Sequence, residues 1–176
     1  MSVLDVNEVA CLPDAMPDPM RRSFELWRSW AGETAYPRWA DVDLVQLPSR
    51  AIPMTSVVDV IDGGADFVYR FYGTGMVGIY TVDETGKRLS ETLGPSFIDA
   101  TAQQLGAVLE SGAPRLFRVQ INRPSGAVAA KLNLRLPIGS APAGPVDKIM
   151  TVAAVELPGR LADEVGAVYV GDKSGR

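Results

Sequence analysis

Residues 67–78 read Phe-Val-Tyr-Arg-Phe-Tyr-Gly-Thr-Gly-Met-Val-Gly, and residues 86–91 read Gly-Lys-Arg-Leu-Ser-Glu. The first six alternate aromatic side chains with smaller or charged ones, as a β-strand does, and the glycines follow directly. This stretch has two interpretations. It is either a glycine loop that binds the phosphates of a nucleotide, or the point where a β-hairpin passes into helices.

The nucleotide interpretation rests on Gly73, Gly75 and Gly78, which match the pattern G-x-G-x-x-G. A dinucleotide fold also needs a first strand buried on both faces and a parallel second strand within ~30 residues. Arg70 lies in the middle of the first strand, and no second strand follows before Pro95. The glycines are therefore assigned to tight backbone geometry. We expect Arg70 to pair with an acidic side chain; binding of an anion is the alternative.

The elements around this stretch predict an α+β fold. Helix signals run from Asp18-Pro19 to Gly32, a hairpin covers residues 57–72, and a long helix follows Gly94-Pro95. Short helical turns are expected over 74–80 and 86–93, and strands over 116–122, 128–138 and 149–155. The economical arrangement is a five-stranded antiparallel sheet with its helices inserted after strand 2, plus an N-terminal amphipathic helix.

The chain divides into a flexible arm (1–17), the N-terminal helix and an extended connector (18–53), the sheet domain (54–158) and a tail (159–176). Within the sheet, Leu132 and Leu134 alternate with Lys131, Asn133 and Arg135. Such alternation predicts a half-buried strand whose polar side chains face solvent. The strand at 149–155 is almost continuously apolar, which favours a central strand covered on both faces.

Composition excludes several classes of function. The net charge is −4 and the 17 basic residues are dispersed, so we expect no nucleic-acid partner. No apolar run is long enough for a membrane span, and the N-terminus lacks a secretory signal, which makes the cytoplasm the expected compartment. With one cysteine, Cys11, and no histidine, we expect no disulfide and no metal site.

Four stretches in this order resemble a divergent bacterial subfamily of PAS-like sensor domains, with a Trp-containing helix before the domain. They are residues 26–30, 37–43, 69–74 and 86–90, and the likeness covers roughly residues 24 to 157. The resemblance implies a sheet curved around helices, a small cavity, and an N-terminal helix that often supports dimers. The prolines after the connector, Pro48 and Pro53, are shifted relative to the usual pattern.

The resemblance also allows cofactors to be tested by residue. Haem-binding members use an axial histidine, which this chain lacks, and flavin photoreceptors use a cysteine in the helical region, whereas Cys11 lies upstream. The coumarate class likewise needs a cysteine inside the fold. Haem, a flavin–cysteine adduct and coumarate are therefore disfavoured, and an unidentified small ligand is left as the alternative.

The aromatic strand indicates where such a ligand would bind. The candidate pocket residues are Tyr69, Phe71, Met76, Tyr80, Phe97, Phe117 and Leu134. An apolar pocket with a few polar groups is one interpretation, and a fully packed core is the other. Phe24, Trp27 and Trp30 on the N-terminal helix are candidate interface anchors, unless they pack onto the chain's own sheet.

We therefore expect a stand-alone PAS-like sensory or protein-interaction module in signal transduction, cytoplasmic and homodimeric, that acts through a protein partner and is not an enzyme. The alternative is a small-molecule enzyme on a cone-shaped α+β fold that uses Tyr69, Tyr80 and Asp99 for proton transfer. Few candidate bases are available for that chemistry. A buried acid beside a tyrosine in an open cavity would favour it.

Overall fold

The computed structural model describes residues 2–92, 94–122, 128–141 and 144–156. Its helices are α1 (Asp18–Ala31), α2 (Thr74–Tyr80) and α3 (Pro95–Ser111). Its strands are β1 (Ser2–Val9), β2 (Thr55–Ile61), β3 (Asp66–Tyr72), β4 (Arg115–Asn122), β5 (Val128–Gly139) and β6 (Val146–Glu156). Within these ranges, no helix is both long and apolar enough to cross a membrane.

The described strands form one antiparallel sheet in the order β1-β4-β5-β6-β2-β3. The hairpin of β2 and β3 joins the hairpins of β4, β5 and β6 through the pairing of β2 with β6, and α2 and α3 are inserted after β3. The predicted α+β arrangement, an antiparallel sheet with its helices inserted after the β2–β3 hairpin, is confirmed, with one strand more than the five expected. The tail predicted over 159–176 lies outside the described residues.

The additional strand is β1, which lies where the sequence predicted a flexible arm. It pairs with β4 at one edge of the sheet, and Val3 and Val6 pack against Phe117 and its neighbours. The pattern of residues 2–9 is too short and polar to predict a strand by itself. Its pairing partner lies more than a hundred residues away, so only tertiary contact reveals it.

One face of the sheet is covered by α1 and the connector that follows it. Trp27 is 3% exposed and its Nε1 donates a hydrogen bond of 2.9 Å to the carbonyl oxygen of Pro137. Phe24 stacks on Trp27 with ring centroids 5.9 Å apart. Leu132, Leu134 and other side chains of this cluster complete a dry core, which we call the α1 face.

The opposite face is covered by α2 and α3. Met76 and Tyr80 of α2 pack with Leu105 and Val108 of α3 on Val58 and Ile149 of the sheet, among others. The glycines at the start of α2 allow a close approach: a Cβ on Gly73 would lie 2.3 Å from the carbonyl oxygen of Pro53. The predicted tight backbone geometry is thus a contact with the connector. We call this side of the sheet the α3 face.

Candidate ligand-binding cavity

A cavity lies between the α3 face of the sheet and helices α2 and α3. The space inside it that the centre of a water-sized sphere can occupy is about 40 Å³, and the cavity is partly open to solvent. Four aromatic rings contribute to its wall: Tyr69, Tyr72, Tyr80 and Phe97. Tyr69 packs edge-on against Tyr72 with ring centroids 5.2 Å apart, and Tyr80 packs edge-on against Phe97 at 5.5 Å. The cavity therefore has rigid aromatic walls on the helical side and along β3.

Its floor is a row of polar side chains on β5. Lys131, Asn133 and Arg135 alternate along the strand, so they project to the same face. The sequence predicted that this row would face solvent, and that was wrong. They are 8%, 2% and 5% exposed because α3 covers this face of the strand as well. Gln104 of α3, which is 1% exposed, meets the row from above.

Arg135 is held by neutral groups. Its Nη1 donates to Oγ1 of Thr151 at 2.7 Å, and its Nη2 and Nε donate to Oε1 of Gln104 at 3.0 and 3.3 Å. Burial lowers the pKa of Arg135 to about 10, against a smaller opposing influence of Tyr69 and Tyr80. The guanidinium is therefore still charged at neutral pH.

Asn133 is only half satisfied. Its Nδ2 donates to Oε1 of Gln104 at 3.0 Å, while its buried Oδ1 has no hydrogen-bond partner among the described residues. Gln104 is fixed in turn, because its Nε2 donates to the carbonyl oxygen of Ala100 at 2.9 Å. An acceptor buried without a donor costs roughly 1–3 kcal/mol, so this oxygen is a notable feature of the cavity floor.

Lys131 lies at the other end of the row. It donates a short hydrogen bond to the hydroxyl of Tyr80, and its Nζ lies 5.0 Å from the centre of the same ring. This contact fixes the ammonium by a cation–π interaction and a hydrogen bond, both with a neutral partner. Lys131 and Arg135 thus place two positive charges on one buried strand face.

One buried carboxylate, Glu84, also lines the cavity. Its Oε2 lies 3.0 Å from Nζ of Lys87 without forming a hydrogen bond of good geometry. Glu84 is 3% exposed at its side chain and Lys87 is 43% exposed, so the lysine reaches down from the surface. The negative charge of Glu84 is therefore offset by a residue outside the floor.

Two tyrosines of β3, Tyr69 and Tyr72, line the cavity. Neither Tyr69 nor Tyr72 has a hydrogen bond through its hydroxyl to any described residue. Burial raises the pKa of Tyr69 to about 12, with smaller effects of Arg135, Tyr80 and Glu84. Burial also raises the pKa of Tyr72 above its usual range, with smaller effects of Tyr69 and Tyr80. Both side chains are therefore neutral O–H donors at physiological pH.

The structure brings together four of the seven predicted pocket residues: Tyr69, Met76, Tyr80 and Phe97 line the cavity. Phe71 instead packs on the α1 face. The register of β3 shifts beside it, since Val57 pairs with Phe71 and Val58 with Tyr69, which leaves Arg70 as an extra residue. Such a bulge reverses the alternation, so Tyr72 takes the inward place that was predicted for Phe71.

Phe117 and Leu134 were expected in the same pocket, yet they lie on opposite faces of the sheet. Phe117 pairs with Asn133 and packs beneath α3 in a cluster beside the cavity, whereas Leu134 pairs with Leu116 on the α1 face. The residues that sequence reasoning missed are Gln104, Lys131, Asn133 and Arg135. The continuous apolar pattern of β6 was the available signal, because a strand covered on both faces implies a covered neighbour.

The candidate interface residues are mostly engaged within the chain. Phe24 and Trp27 are buried on the α1 face, and Trp30 is partly buried against the same cluster. The alternative, packing onto the chain's own sheet, is therefore the correct interpretation for Phe24 and Trp27. Arg70, predicted to pair with an acid, lies 2.8 Å from Asp59 and stacks over the ring of Trp39. In the described ranges, no cluster of three or more cysteine or acidic side chains could hold a metal ion.

Known proteins offer only distant comparisons. No protein-family model and no curated protein matches the chain. Three solved structures that do match are LOV domains. The blue-light photoreceptor Aureochrome1 LOV has 10% identity and a TM-score of 0.44, and the match covers 68% of this chain and 90% of that one.

A fungal LOV domain photoreceptor has 15% identity and a TM-score of 0.43, over 77% of this chain and 90% of that one. An RNA-binding Light-Oxygen-Voltage receptor has 13% identity and a TM-score of 0.44, over 93% of this chain and 39% of that one.

The comparisons overturn one expectation about cofactors. The sequence argued against flavin because Cys11 lies far upstream, but the matched structures are LOV domains, which bind flavin. The lack of a cysteine inside the fold excludes only a covalent flavin–cysteine adduct, because a flavin ring can be held by hydrogen bonds without a thiol. The exclusion of flavin is therefore withdrawn.

Proposed function

We propose that this chain is a PAS-like sensory module that binds a small molecule in the cavity beneath α3. The observation that carries the proposal is the polar floor of the cavity. A strand in the middle of the sheet buries Lys131, Asn133 and Arg135, with donors and an acceptor that no described residue satisfies. Natural interiors rarely keep such groups unless a function requires them. A ligand that pairs with them would account for their retention.

Mass spectrometry under native conditions tests this proposal. The purified chain is weighed natively and after denaturation, and a retained small molecule appears as a mass difference. Thr101 of α3 lines the cavity, so Thr101→Trp should fill the space and abolish the difference. Gln103→Trp on the exposed side of the same helix is the matched control and should keep it. Equal masses in the wild-type chain, even after incubation with a metabolite extract, would contradict the proposal.

The output of the module is proposed to pass through a protein partner or a change in oligomeric state. A homodimer remains a proposal based on the resemblance to PAS-like sensors, as does membership in their divergent, stand-alone bacterial subfamily. Because α1 buries Phe24 and Trp27 against its own sheet, a dimer would use other surfaces. Light scattering of the full chain, with and without the retained ligand, measures the oligomeric state.

We further propose that the module is not an enzyme and works in the cytoplasm. Asp99, one of the residues of the enzymatic alternative, is exposed on α3 and does not line the cavity. The specific observation that favours the alternative is Glu84, a buried carboxylate in a cavity with tyrosines. Its Oε2 lies 3.0 Å from Nζ of Lys87, so a substrate would have to compete with that ammonium for the carboxylate. Recovery of an unchanged ligand after prolonged incubation would support binding without turnover.

A further inference from the structure

The guanidinium of Arg135 has hydrogen-bonding capacity that the protein leaves unused. An arginine side chain carries five N–H donors. Within the described part of the chain it forms three hydrogen bonds: Nε and Nη2 each donate once to Gln104, and Nη1 donates once to Thr151. One N–H therefore remains on each of the two terminal nitrogens. Two donors on neighbouring nitrogens match the two oxygens of a carboxylate in geometry.

The positive charges of the cavity floor exceed the negative charge that the described residues place against them. Among the described residues, neither Arg135 nor Lys131 has an acidic partner; both bond to neutral oxygens. The one acidic side chain in the lining, Glu84, is already matched by Lys87. A buried cation without a counter-charge is costly. The cost is removed when an anion enters the cavity and lies against the floor.

The uncharged groups of the cavity favour the same kind of ligand. The hydroxyls of Tyr69 and Tyr72 have no hydrogen-bond partner among the described residues, and Arg135 keeps two N–H donors. These four donors outnumber the two buried acceptors of the lining that lack a hydrogen bond, Oδ1 of Asn133 and Oε2 of Glu84. A site rich in donors is complementary to a ligand rich in acceptors. The aromatic walls formed by Tyr69, Tyr72, Tyr80 and Phe97 are complementary to a flat ring.

We propose that the cavity binds a small aromatic carboxylate, whose carboxylate group is held by the two free N–H groups of Arg135 while its ring packs between the tyrosines and Phe97. This inference rests on the proposed function and names its ligand class. Lys131 contributes long-range attraction, because its ammonium is fixed on Tyr80 at the other end of the row. Arg135 is thus the residue that determines specificity for the charged group.

Benzoate and benzamide are the probes that test the proposal, because they share the ring and nearly the same shape but differ in charge. Isothermal titration of the purified full chain should give saturable binding of benzoate, at least about tenfold tighter than that of benzamide, as expected for a charge-assisted bidentate contact. Equal affinity for the two probes would overturn the carboxylate assignment. The absence of saturable benzoate binding would overturn the ligand class.

Variants of Arg135 test whether this residue binds the carboxylate group of benzoate. Arg135→Gln should weaken benzoate at least about tenfold and leave benzamide nearly unchanged, and Arg135→Lys should fall between because it keeps the charge without the fork. Arg70→Gln, a strand arginine outside the cavity, is the matched control and should bind both probes like the wild type. Benzoate affinity that survives Arg135→Gln would overturn the assignment. If that variant does not fold, Arg135→Lys and the pair of probes on the wild type decide the question.

The failure of this inference can be told from the failure of the proposed function. A neutral molecule retained in native mass spectrometry, together with equal binding of the two probes, would keep the module as a sensor and overturn the carboxylate class. A flavin spectrum from the purified protein would also overturn that class while keeping the cavity. Equal native and denatured masses combined with no binding of either probe would overturn both.

Discussion

The two faces of the central strand β5 differ in how their groups are satisfied. On the α1 face, Leu132 and Leu134 pack into a dry cluster with Trp27, whose single polar atom has its hydrogen bond. On the α3 face, the intervening residues Asn133 and Arg135 are as deeply buried, yet they keep an unpaired acceptor and unused donors. The comparison teaches that burial alone does not distinguish a core from a site. What distinguishes them is whether the buried polar groups have partners within the protein.

The largest expected effect is on the α1 face, where Trp27→Ala should lower the free energy of unfolding by about 4 kcal/mol. The substitution removes a buried ring together with the hydrogen bond to Pro137. Urea denaturation measures the change. Trp27→Phe, which keeps one aromatic ring but loses the hydrogen bond and part of the buried indole, is the matched control and should cost less. A loss below about 1 kcal/mol for Trp27→Ala would show that α1 contributes little to the dry face.

Leu134→Ala should lower the same free energy by about 3 kcal/mol, because it opens a void where no side chain is exposed. The control is Leu12→Ala, since Leu12 is 60% exposed and its truncation removes little buried area. Denaturation curves of the two variants should therefore separate clearly. Equal curves would mean that the α1 face can collapse around the missing side chain, which would contradict the close packing described above.

The buried hydroxyl of Tyr69 on the α3 face makes the free energy of unfolding depend on pH. Its pKa is raised by burial to about 12, so its contribution to stability is complete below pH 10 and is lost as pH rises through the folded value. Between about pH 9 and pH 11 the wild type should lose about 1 kcal/mol relative to Tyr69→Phe, which has no hydroxyl to ionise. Arg135 changes charge in the same window but is present in both proteins. If the difference in free energy of unfolding between the wild type and Tyr69→Phe stays constant with pH, the burial of this hydroxyl is contradicted.

The smallest change in stability is expected for Asn133→Leu, at less than about 1 kcal/mol and in the stabilising direction. The substitution removes the unpaired Oδ1, and Gln104 keeps its hydrogen bonds from Arg135. Ligand retention in native mass spectrometry should nevertheless fall. A strong loss of stability, like that of Leu134→Ala, would mean that the α3 face is an ordinary core and would remove the contrast between the two faces.

Much of the fold could be predicted because its signals are local. The proline at the start of α1, Gly32 at its end and Gly112 after α3 gave those helices close to their observed bounds. The alternation along β4 and β5 likewise gave the strands. Local signals do not show which distant element pairs with a strand or packs on a face of the sheet. The pairing of β1 with β4 and the covering of the polar row of β5 by α3 were therefore missed.

The cavity was predicted only in part for the same reason. Tyr69, Met76, Tyr80 and Phe97 were found because aromatic and apolar residues at strand and helix spacing point toward an interior. Phe71 was predicted on the wrong face of the sheet because the bulge at Arg70 reverses the alternation of β3. Leu134 was also assigned to the wrong face, since both faces of the sheet are covered and either could have held an apolar side chain. Polar residues in alternation with leucines predict a solvated face unless a second layer is known to cover them.

The alternation of β5 has a consequence for how this protein can change over evolutionary time. Odd-numbered residues 131, 133 and 135 belong to the cavity, and even-numbered residues 132, 134 and 136 belong to the dry core. Substitutions at the odd positions can therefore change the ligand specificity of the cavity without altering the core on the α1 face. A single-residue insertion or deletion within the strand would exchange the two roles at once. Along this one strand, alternate positions therefore carry two separate tasks, ligand contact at odd numbers and core packing at even numbers.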